Sequence, residues 1–478
     1  MITYDKLFIG GWTTPASSER IDVTSASTEE PIGSVPAATE ADVDAAVAAA
    51  RRAFDDPQGW PNWEPARRAD ALDQLADKLE AKGEEMARRV SAQNGMPIAI
   101  SSQLEAGFPL VLLRYYANLL RGFDFEVEQD HLMGGKTYVR REPVGVVGAI
   151  APWNYPQALA AFKHAPALAA GCTIVLKPSP ETVLDAFLFA EAVAETDIPD
   201  GVVNIVPGGR EVGAYLVAHA DIDKVAFTGS TAAGRQIATT CGQMLRPVTL
   251  ELGGKSAAIV LDDANLDLSV MGERLFESLL VNNGQTCYLG TRILAPDNRY
   301  DEVVDTLAAF MSSLPVGDAL DASTMIGPMA SRTHRDRVEG FIDKGKGDGA
   351  RVVVGGGRSE RDRGWFVEPT LFADVDNKST IAQEEIFGPV LSVIRYSDDD
   401  DAIAIANDSD YGLGGSVWTS DPERGRDIAR RVRTGTIGIN RYLPDPGAPF
   451  GGVKDSGIGR ELGPQSLDSY LVYKSIYA

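Results

Sequence analysis

Between residues 144 and 250 the chain alternates short apolar runs with helix-length segments, and that alternation leaves few folds open. The runs fall at 144–149, 172–176, 202–206, 224–227 and 248–250. Between them, segments such as 158–170 and 182–195 carry apolar residues at helical spacing. Strands separated by helices are joined by crossovers, so they lie parallel in a sheet covered on both faces. After Lys255 the alternation resumes, with strand candidates at 257–261, 291–295, 351–354, 390–396, 415–418 and 435–440 and helices such as 301–313 and 421–432. A chain of 478 residues exceeds one ordinary core. The two stretches therefore predict two α/β units, with the glycine-rich turn 252–255 as their boundary.

Ahead of the alternation, 39–54 and 65–90 read as amphipathic helices started by Thr39 and Pro65. The segments 136–142 and 469–475 alternate apolar and polar residues outside either stretch. Exposed edge strands of this kind are candidates for pairing between subunits. A net charge of −23 argues against nucleic acid or anionic membrane as a partner. No apolar run reaches the roughly 18–20 residues of a bilayer span. The first residues, Met1 to Lys6, lack the basic start and apolar stretch of a signal peptide. With only Cys172, Cys241 and Cys287, no disulfide framework is expected, and the cytoplasm is the expected compartment.

Two short motifs carry chemistry. Glu251 ends the apolar pattern Val248-Thr249-Leu250, where a carboxylate is costly to bury and has its pKa raised by burial. Cys287 follows the polar lead-in Asn282-Asn283-Gly284-Gln285-Thr286 at the head of a strand. Local pattern leaves two readings of it: a nucleophile, or a small buried hydrophobe of the kind Cys172 represents. A thiol nucleophile and a pKa-raised carboxylate are the two groups needed to make a thioester and then hydrolyse it. None of the four histidines (His131, His164, His219, His334) sits in a setting that suggests a dyad partner, which weighs against a cysteine hydrolase.

A strand that ends in Thr228-Gly229-Ser230 and opens a helix turns backbone N–H groups and a helix dipole toward one spot, which suits phosphate oxygens. The same residues also suit an ordinary turn capped by Ser230 or Thr231. Pro152-Trp153-Asn154-Tyr155-Pro156 follows the first strand of the parallel section, where ligands of such sheets bind. Asn154 there is either a donor to a developing oxyanion or a simple turn former. Lys177 stands at another strand end, within reach of a ribose or phosphate. Gly253-Gly254-Lys255-Ser256 is not a phosphate-binding loop, because that motif requires glycine where Thr249 stands, and no G-x-G-x-x-G opens a helix.

Together these segments resemble the NAD(P)-dependent aldehyde dehydrogenase superfamily, in its hydrolytic, non-acylating branch. The motifs run in order from the first helices to Pro449-Phe450-Gly451-Gly452-Val453-Lys454-Asp455-Ser456-Gly457-Ile458-Gly459-Arg460-Glu461. The resemblance implies an α/β fold with a Rossmann-like cofactor domain (1–123 and 144–253), an α/β catalytic domain (254–455) and small β oligomerisation segments (124–143 and 464–478). It implies a homodimer or homotetramer in which 136–142 pairs with 469–475 of a neighbour. It also implies Cys287 as nucleophile, Asn154 and the Cys287 N–H as oxyanion donors, Glu251 as general base and Lys163 in a proton relay.

For the cofactor, the resemblance implies that Lys177 and Glu385 hold ribose hydroxyls, Ser230 and Trp153 meet the pyrophosphate, and Phe387 packs beside the nicotinamide. Ile150, Pro152, Ser179, Gly208 and Gly213 are further contacts on the same grounds, as are Phe227, Gly229, Ala233 and Leu252. Many NAD-preferring members carry a glutamate three residues after the lysine matching Lys177. Here that place is Pro180 and the acid is Glu181, so NADP stays open beside NAD.

The positions matching the family's substrate tunnel are Leu159, Phe162, Thr286, Tyr288 and Tyr442, with Leu443 at its edge. This mainly apolar set suggests a medium-chain, aromatic or terpenoid-like aldehyde. Arg441 nearby would suit a semialdehyde and Asp445 an amino aldehyde. Two rival functions are weighed against the hydrolytic one. A CoA-acylating enzyme of the same family usually lacks the base at Glu251, and a catalytically silent relative would be expected to lose Cys287, Glu251 or Asn154.

Overall fold

Val146–Ile150, Thr173–Lys177 and Lys224–Thr228 are buried at every position, which is why they read as unbroken runs rather than alternating ones. The computed structural model describes residues 1–478 and sets these strands in an eight-stranded sheet. Its five parallel members lie in the order Val248–Glu251, Lys224–Thr228, Val146–Ile150, Thr173–Lys177, Val203–Ile205. The chain runs outward from Val146–Ile150 on one side, then returns to build the other. The order therefore reverses between Val146–Ile150 and Lys224–Thr228. Crevices beyond the carboxyl ends of strands at such a reversal are ligand sites.

Each end of the parallel run is flanked by an antiparallel partner: Leu7–Phe8 against Val203–Ile205, with Trp12–Thr13 beyond it as the eighth strand, and Gly457–Ile458 against Val248–Glu251. The second pairing sets Glu251 opposite Gly457 and draws the C-terminal glycine-rich segment onto the sheet.

The helix Pro156–Ala170 is buried along its whole length, and Leu184–Ala194 nearly so. A second sheet of seven strands begins at Ala257–Val260. Its order is Arg351–Val354, Thr370–Ala373, Val390–Tyr396, Arg292–Pro296, Ala257–Val260, Gly415–Trp418, Gly438–Ile439, parallel except for the first pair. No helix is long and apolar enough to cross a membrane.

Several expectations need correction. The segment expected as one helix over 65–90 is two, Pro65–Ala81 and Gly83–Asn94, broken where Gly83 follows Lys82. The strand Thr370–Ala373 was not expected, since four residues behind a proline carry too little pattern. The segment expected at 435–440 pairs only over Gly438–Ile439. Cys287 does not head a strand but lies in a turn, with Arg292–Pro296 starting five residues on.

The largest change concerns the segments expected to pair between subunits. Lys136–Pro143 pairs antiparallel with Leu471–Tyr477 of the same chain, from Leu471 opposite Pro143 to Tyr477 opposite Thr137. Glu126–Asp130 takes its other edge. The segment near 136–142 is therefore the middle of a three-stranded sheet rather than an edge awaiting a neighbour.

Candidate active site

A cleft of about 690 Å³ opens beyond the strand ends at the order reversal. Ile150, Pro152 and Trp153 form one wall, and Phe227, Gly229, Ser230 and Ala233 the other. Ser230 caps the helix Thr231–Gln243, its Oγ accepting from the Ala233 N–H, so the helix N-terminus faces the cleft. Lys177 lines the far end beside Ser179 and Gly213. Its ammonium donates to the carbonyls of Gly208 (2.6 Å) and Pro178 (3.0 Å), and burial lowers its pKa to about 8. Gly208 thus serves as the anchor of Lys177 rather than as part of the wall. Glu181 is folded back onto Ser179, whose hydroxyl donates to it at 2.5 Å.

A second cleft of about 240 Å³ continues from this one past Trp153 and Ser230 to Cys287, bounded by Asn154, Leu252, Glu385 and Phe387. Burial raises the Glu385 carboxyl to about 7, although the Gly254 N–H donates to Oε1 at 3.0 Å. His334 also lines this cleft, tilted against Trp153 with ring centres 4.9 Å apart. Its Nε2 lies 2.6 Å from the Phe387 carbonyl and burial lowers its pKa to about 4, so the ring is neutral and committed to that bond. Cys287 therefore shares its cleft with a neutral imidazole whose Nε2–H is taken by the Phe387 carbonyl.

The nucleophile candidate sits on a strained turn. Asn282, Asn283 and Gly284 all have positive φ, at 55°, 61° and 76°. Strain of this kind persists only where surroundings over-determine it. Here Asn283 Nδ2 donates to Gly95 O (2.8 Å) and Pro328 O (2.9 Å), and its Oδ1 accepts from Gly327 N. Gln285 Oε1 accepts from Ala330 N at 2.9 Å. Thr286 bonds the Tyr155 hydroxyl at 2.7 Å and the Val281 carbonyl at 3.1 Å. Asn154 donates one amide hydrogen to the Gln285 carbonyl at 3.0 Å, leaving its second N–H free. Burial, then the carboxylates of Glu385 and Glu251, push the Cys287 thiol well above its usual range.

Glu251 is buried, and no side chain donates a hydrogen bond to either carboxyl oxygen. Burial first, and then Glu461, raise its pKa well above the carboxylate range, while Lys163 and Arg460 partly offset them. Lys163 donates to Thr228 Oγ1 at 2.6 Å and to Glu461 Oε1 at 2.9 Å. The return strand Gly457–Ile458 makes this cluster possible by carrying Gly451 and Glu461 beside the end of Val248–Glu251. A Cβ at Gly451 would stand 2.5 Å from Glu251 Oε1, so only glycine leaves the carboxyl room.

On the other side of Cys287 lies an aromatic wall. Tyr288 stacks on Tyr442 with ring centres 4.6 Å apart, and Phe450 meets both Tyr288 (6.4 Å) and Phe162 (6.0 Å) edge-on. Phe108 packs on Phe162, and Leu159 belongs to the same core. Arg441, considered as a carboxylate binder, is instead paired with Glu277 at 2.6 Å and 2.7 Å. Leu443 and Asp445 are exposed.

No local sequence signal marks Asn94, Phe108, His334, Phe450 or Glu461 as part of the site. Pro449 to Glu461 was visible only as a motif, and Asn94 precedes a glycine with no local sign of what it holds.

The sequence matches the model of the aldehyde dehydrogenase family over residues 12–476. It is 57% identical over 477 residues to the geranial dehydrogenase of Castellaniella defragrans, covering 100% of this chain and 99% of that protein. The crystal structure of a Mycobacterium tuberculosis aldehyde dehydrogenase complexed with NAD+ superposes with a TM-score of 0.97 at 50% identity, covering 100% of this chain and 98% of that one. A variant of aldehyde dehydrogenase C from Pseudomonas syringae, complexed with NAD+ and octanal, superposes with a TM-score of 0.94 at 39% identity, covering 99% and 96%.

Proposed function

Since the chain belongs to the aldehyde dehydrogenase family, we propose that it oxidises an apolar, terpenoid-like or medium-chain aldehyde to the acid with NAD, by hydrolysis of a thioester on Cys287. The observation that carries the hydrolytic reading is Glu251, a buried carboxyl without a side-chain hydrogen-bond donor and with a raised pKa. A carboxyl whose pKa is raised in this way is a stronger base toward water than an ordinary carboxylate.

The residues at the two clefts fit a dinucleotide: a capped helix N-terminus for the pyrophosphate, Lys177 at one end and Glu385 at the other. We assign the adenosine end to the larger cleft and the nicotinamide end to the smaller, beside Cys287 and Phe387. NAD bound there would supply the acceptor for the substrate's hydride. Cys287 Sγ, its thiol proton released to solvent water in the cleft, adds to the aldehyde carbon, and the oxygen that takes the negative charge is received by the free Asn154 N–H and the Cys287 N–H. Loss of hydride leaves the acyl group on sulfur. Glu251 then removes a proton from the water that attacks it, with Lys163 and Glu461 behind it as the exit for that proton. In this reading the eight-stranded sheet serves the cofactor, the seven-stranded sheet carries the nucleophile, and the outlying three-stranded sheet serves assembly into a dimer or tetramer.

The aromatic wall and the Arg441–Glu277 pair favour an uncharged substrate over a semialdehyde. The geranial relative and the octanal-bound neighbour point the same way. The test follows reduced nicotinamide by absorbance with NAD or NADP over geranial, octanal and a semialdehyde, with Cys287→Ala and Glu251→Gln beside wild type. Turnover without CoA, absent in Cys287→Ala and halted after one turnover in Glu251→Gln, is expected. Turnover only with CoA overturns the hydrolytic reading, and preference for the semialdehyde overturns the apolar one.

A further inference from the structure

Asn94 closes the helix Gly83–Asn94 with its side chain wholly buried, and the next residue, Gly95, turns left-handed at φ 80°. The side-chain amide donates twice, to the carbonyls of Trp153 (3.0 Å) and Asn154 (3.1 Å). Its Oδ1 accepts from the Met96 N–H at 3.0 Å, and its main-chain carbonyl receives Gln285 Nε2 at 3.4 Å. The Asn154 carbonyl takes a second donor, Asn282 Nδ2, at 3.0 Å. With the Asn154 side chain on the Gln285 carbonyl, these bonds close a ring through Asn94, Asn154 and Gln285. The adjoining Gly95 carbonyl holds Asn283 of the nucleophile turn. A Cβ on Gly95 would meet the Pro328 carbonyl at 2.2 Å, so this turn has no room to shift.

We infer that Asn94 is a positioning residue: it ties the loop bearing Asn154 and the turn bearing Cys287 to one helix end, fixing the separation of the two oxyanion donors. The inference rests on the reading of Asn154 and the Cys287 N–H as that pair. The two donors come from segments far apart in sequence, and neither loop alone sets their spacing. A displacement of about 1 Å in such a pair costs on the order of 100-fold in rate. Asn94 touches neither substrate nor cofactor in this scheme and acts only through Asn154 and Gln285.

The test is a double-mutant cycle. Asn94→Ala is expected to lower kcat about 10- to 100-fold, with aldehyde KM and NAD Kd within about threefold of wild type. Alkylation of Cys287 by iodoacetamide, which needs no oxyanion donor, stays within about threefold. Because alanine removes only the donations to the loop bearing Asn154 and keeps the main-chain carbonyl that holds Gln285, the pair Asn94→Ala/Asn154→Ala is expected to be no slower than Asn154→Ala alone. Losses that multiply in the double variant would overturn the inference and leave Asn94 a purely structural residue. An Asn154→Ala enzyme with wild-type kcat would overturn the oxyanion reading itself, and this inference with it. Should Asn94→Ala fail to fold, Asn94→Asp keeps the size and the Met96 bond while removing both donations, and is read the same way.

Discussion

Lys163 and Glu461 form an ion pair sealed from water: Nζ lies 2.9 Å from Oε1, and the side chains are 0% and 1% exposed. The pair joins the helix Pro156–Ala170 to the segment that follows the return strand Gly457–Ile458. It also stands against Glu251, where the two charges act in opposite directions on that carboxyl.

Removing one member leaves the other charged and unpaired in the interior, which costs about 3–5 kcal/mol. Lys163→Met and Glu461→Leu are each expected to lose that much in denaturant unfolding. The double variant is expected to recover a large part of it, because no charge is then stranded. Single variants within about 1 kcal/mol of wild type would show that the pair is open to water.

Glu251 gives a pH dependence whose sign is fixed. Its folded-state pKa is raised, chiefly by burial, so the base form accumulates as pH rises through that value. Deacylation-limited kcat is expected to climb with pH along a one-proton limb that Glu251→Gln lacks. Stability runs the other way. A raised folded-state pKa contributes fully below the unfolded carboxylate value, about 4.3, and that contribution is lost as pH rises through the folded-state value. Glu251→Gln is therefore expected to gain stability relative to wild type toward alkaline pH, read from paired melts across pH.

The strained turn makes a separate prediction. At Gly284 φ is 76°, and a Cβ would lie 2.1 Å from the Gly388 carbonyl. Neither the angle nor the space admits alanine, and the displaced backbone is the one that carries Cys287. Gly284→Ala is expected to destabilise by about 2 kcal/mol or more and to lower kcat at least about tenfold. Thermal melts and steady-state rates check both parts, and a soluble variant with wild-type kcat would count against the turn as a positioning element.

How far the sequence revealed this arrangement depended on where each signal lay. Lys224–Thr228 and its glycine-serine turn were readable because burial on both faces leaves an unbroken run and the helix start follows at once. Thr370–Ala373 was not, since its strand character comes from its neighbours Arg351–Val354 and Val390–Tyr396 rather than from its own pattern. Glu461 could be quoted as part of a motif, but its partner Lys163 lies 298 positions away and meets it only through the pairing of Gly457 with Glu251. Asn94 is a plain helix end by sequence, and its place comes from two loops converging on it, the one bearing Asn154 and the turn bearing Gln285. The partner of Leu471–Tyr477 was misread for a related reason: alternation marks a strand but not which copy of the chain it pairs with.

Glu385 offers the last prediction. Burial raises its carboxyl to about 7, against the opposing pull of the Gly254 N–H, Arg337 and Lys255. Half of it is therefore neutral near pH 7 in the free protein. Ribose hydroxyls donate more strongly to a carboxylate than to a carboxylic acid. Dinucleotide affinity is expected to tighten severalfold between pH 6 and pH 8 and to level off above. Lys177, lowered to about 8, lines the adjoining larger cleft and begins to lose its charge at the upper end of this range. Comparison with Glu385→Gln separates the two, because that variant keeps Lys177 and loses only the limb centred near 7. Fluorescence titration with NADH across pH reads the constants directly. A wild-type affinity flat from pH 6 to 8 would remove Glu385 from the ribose and leave the Gly254 N–H as its sole partner.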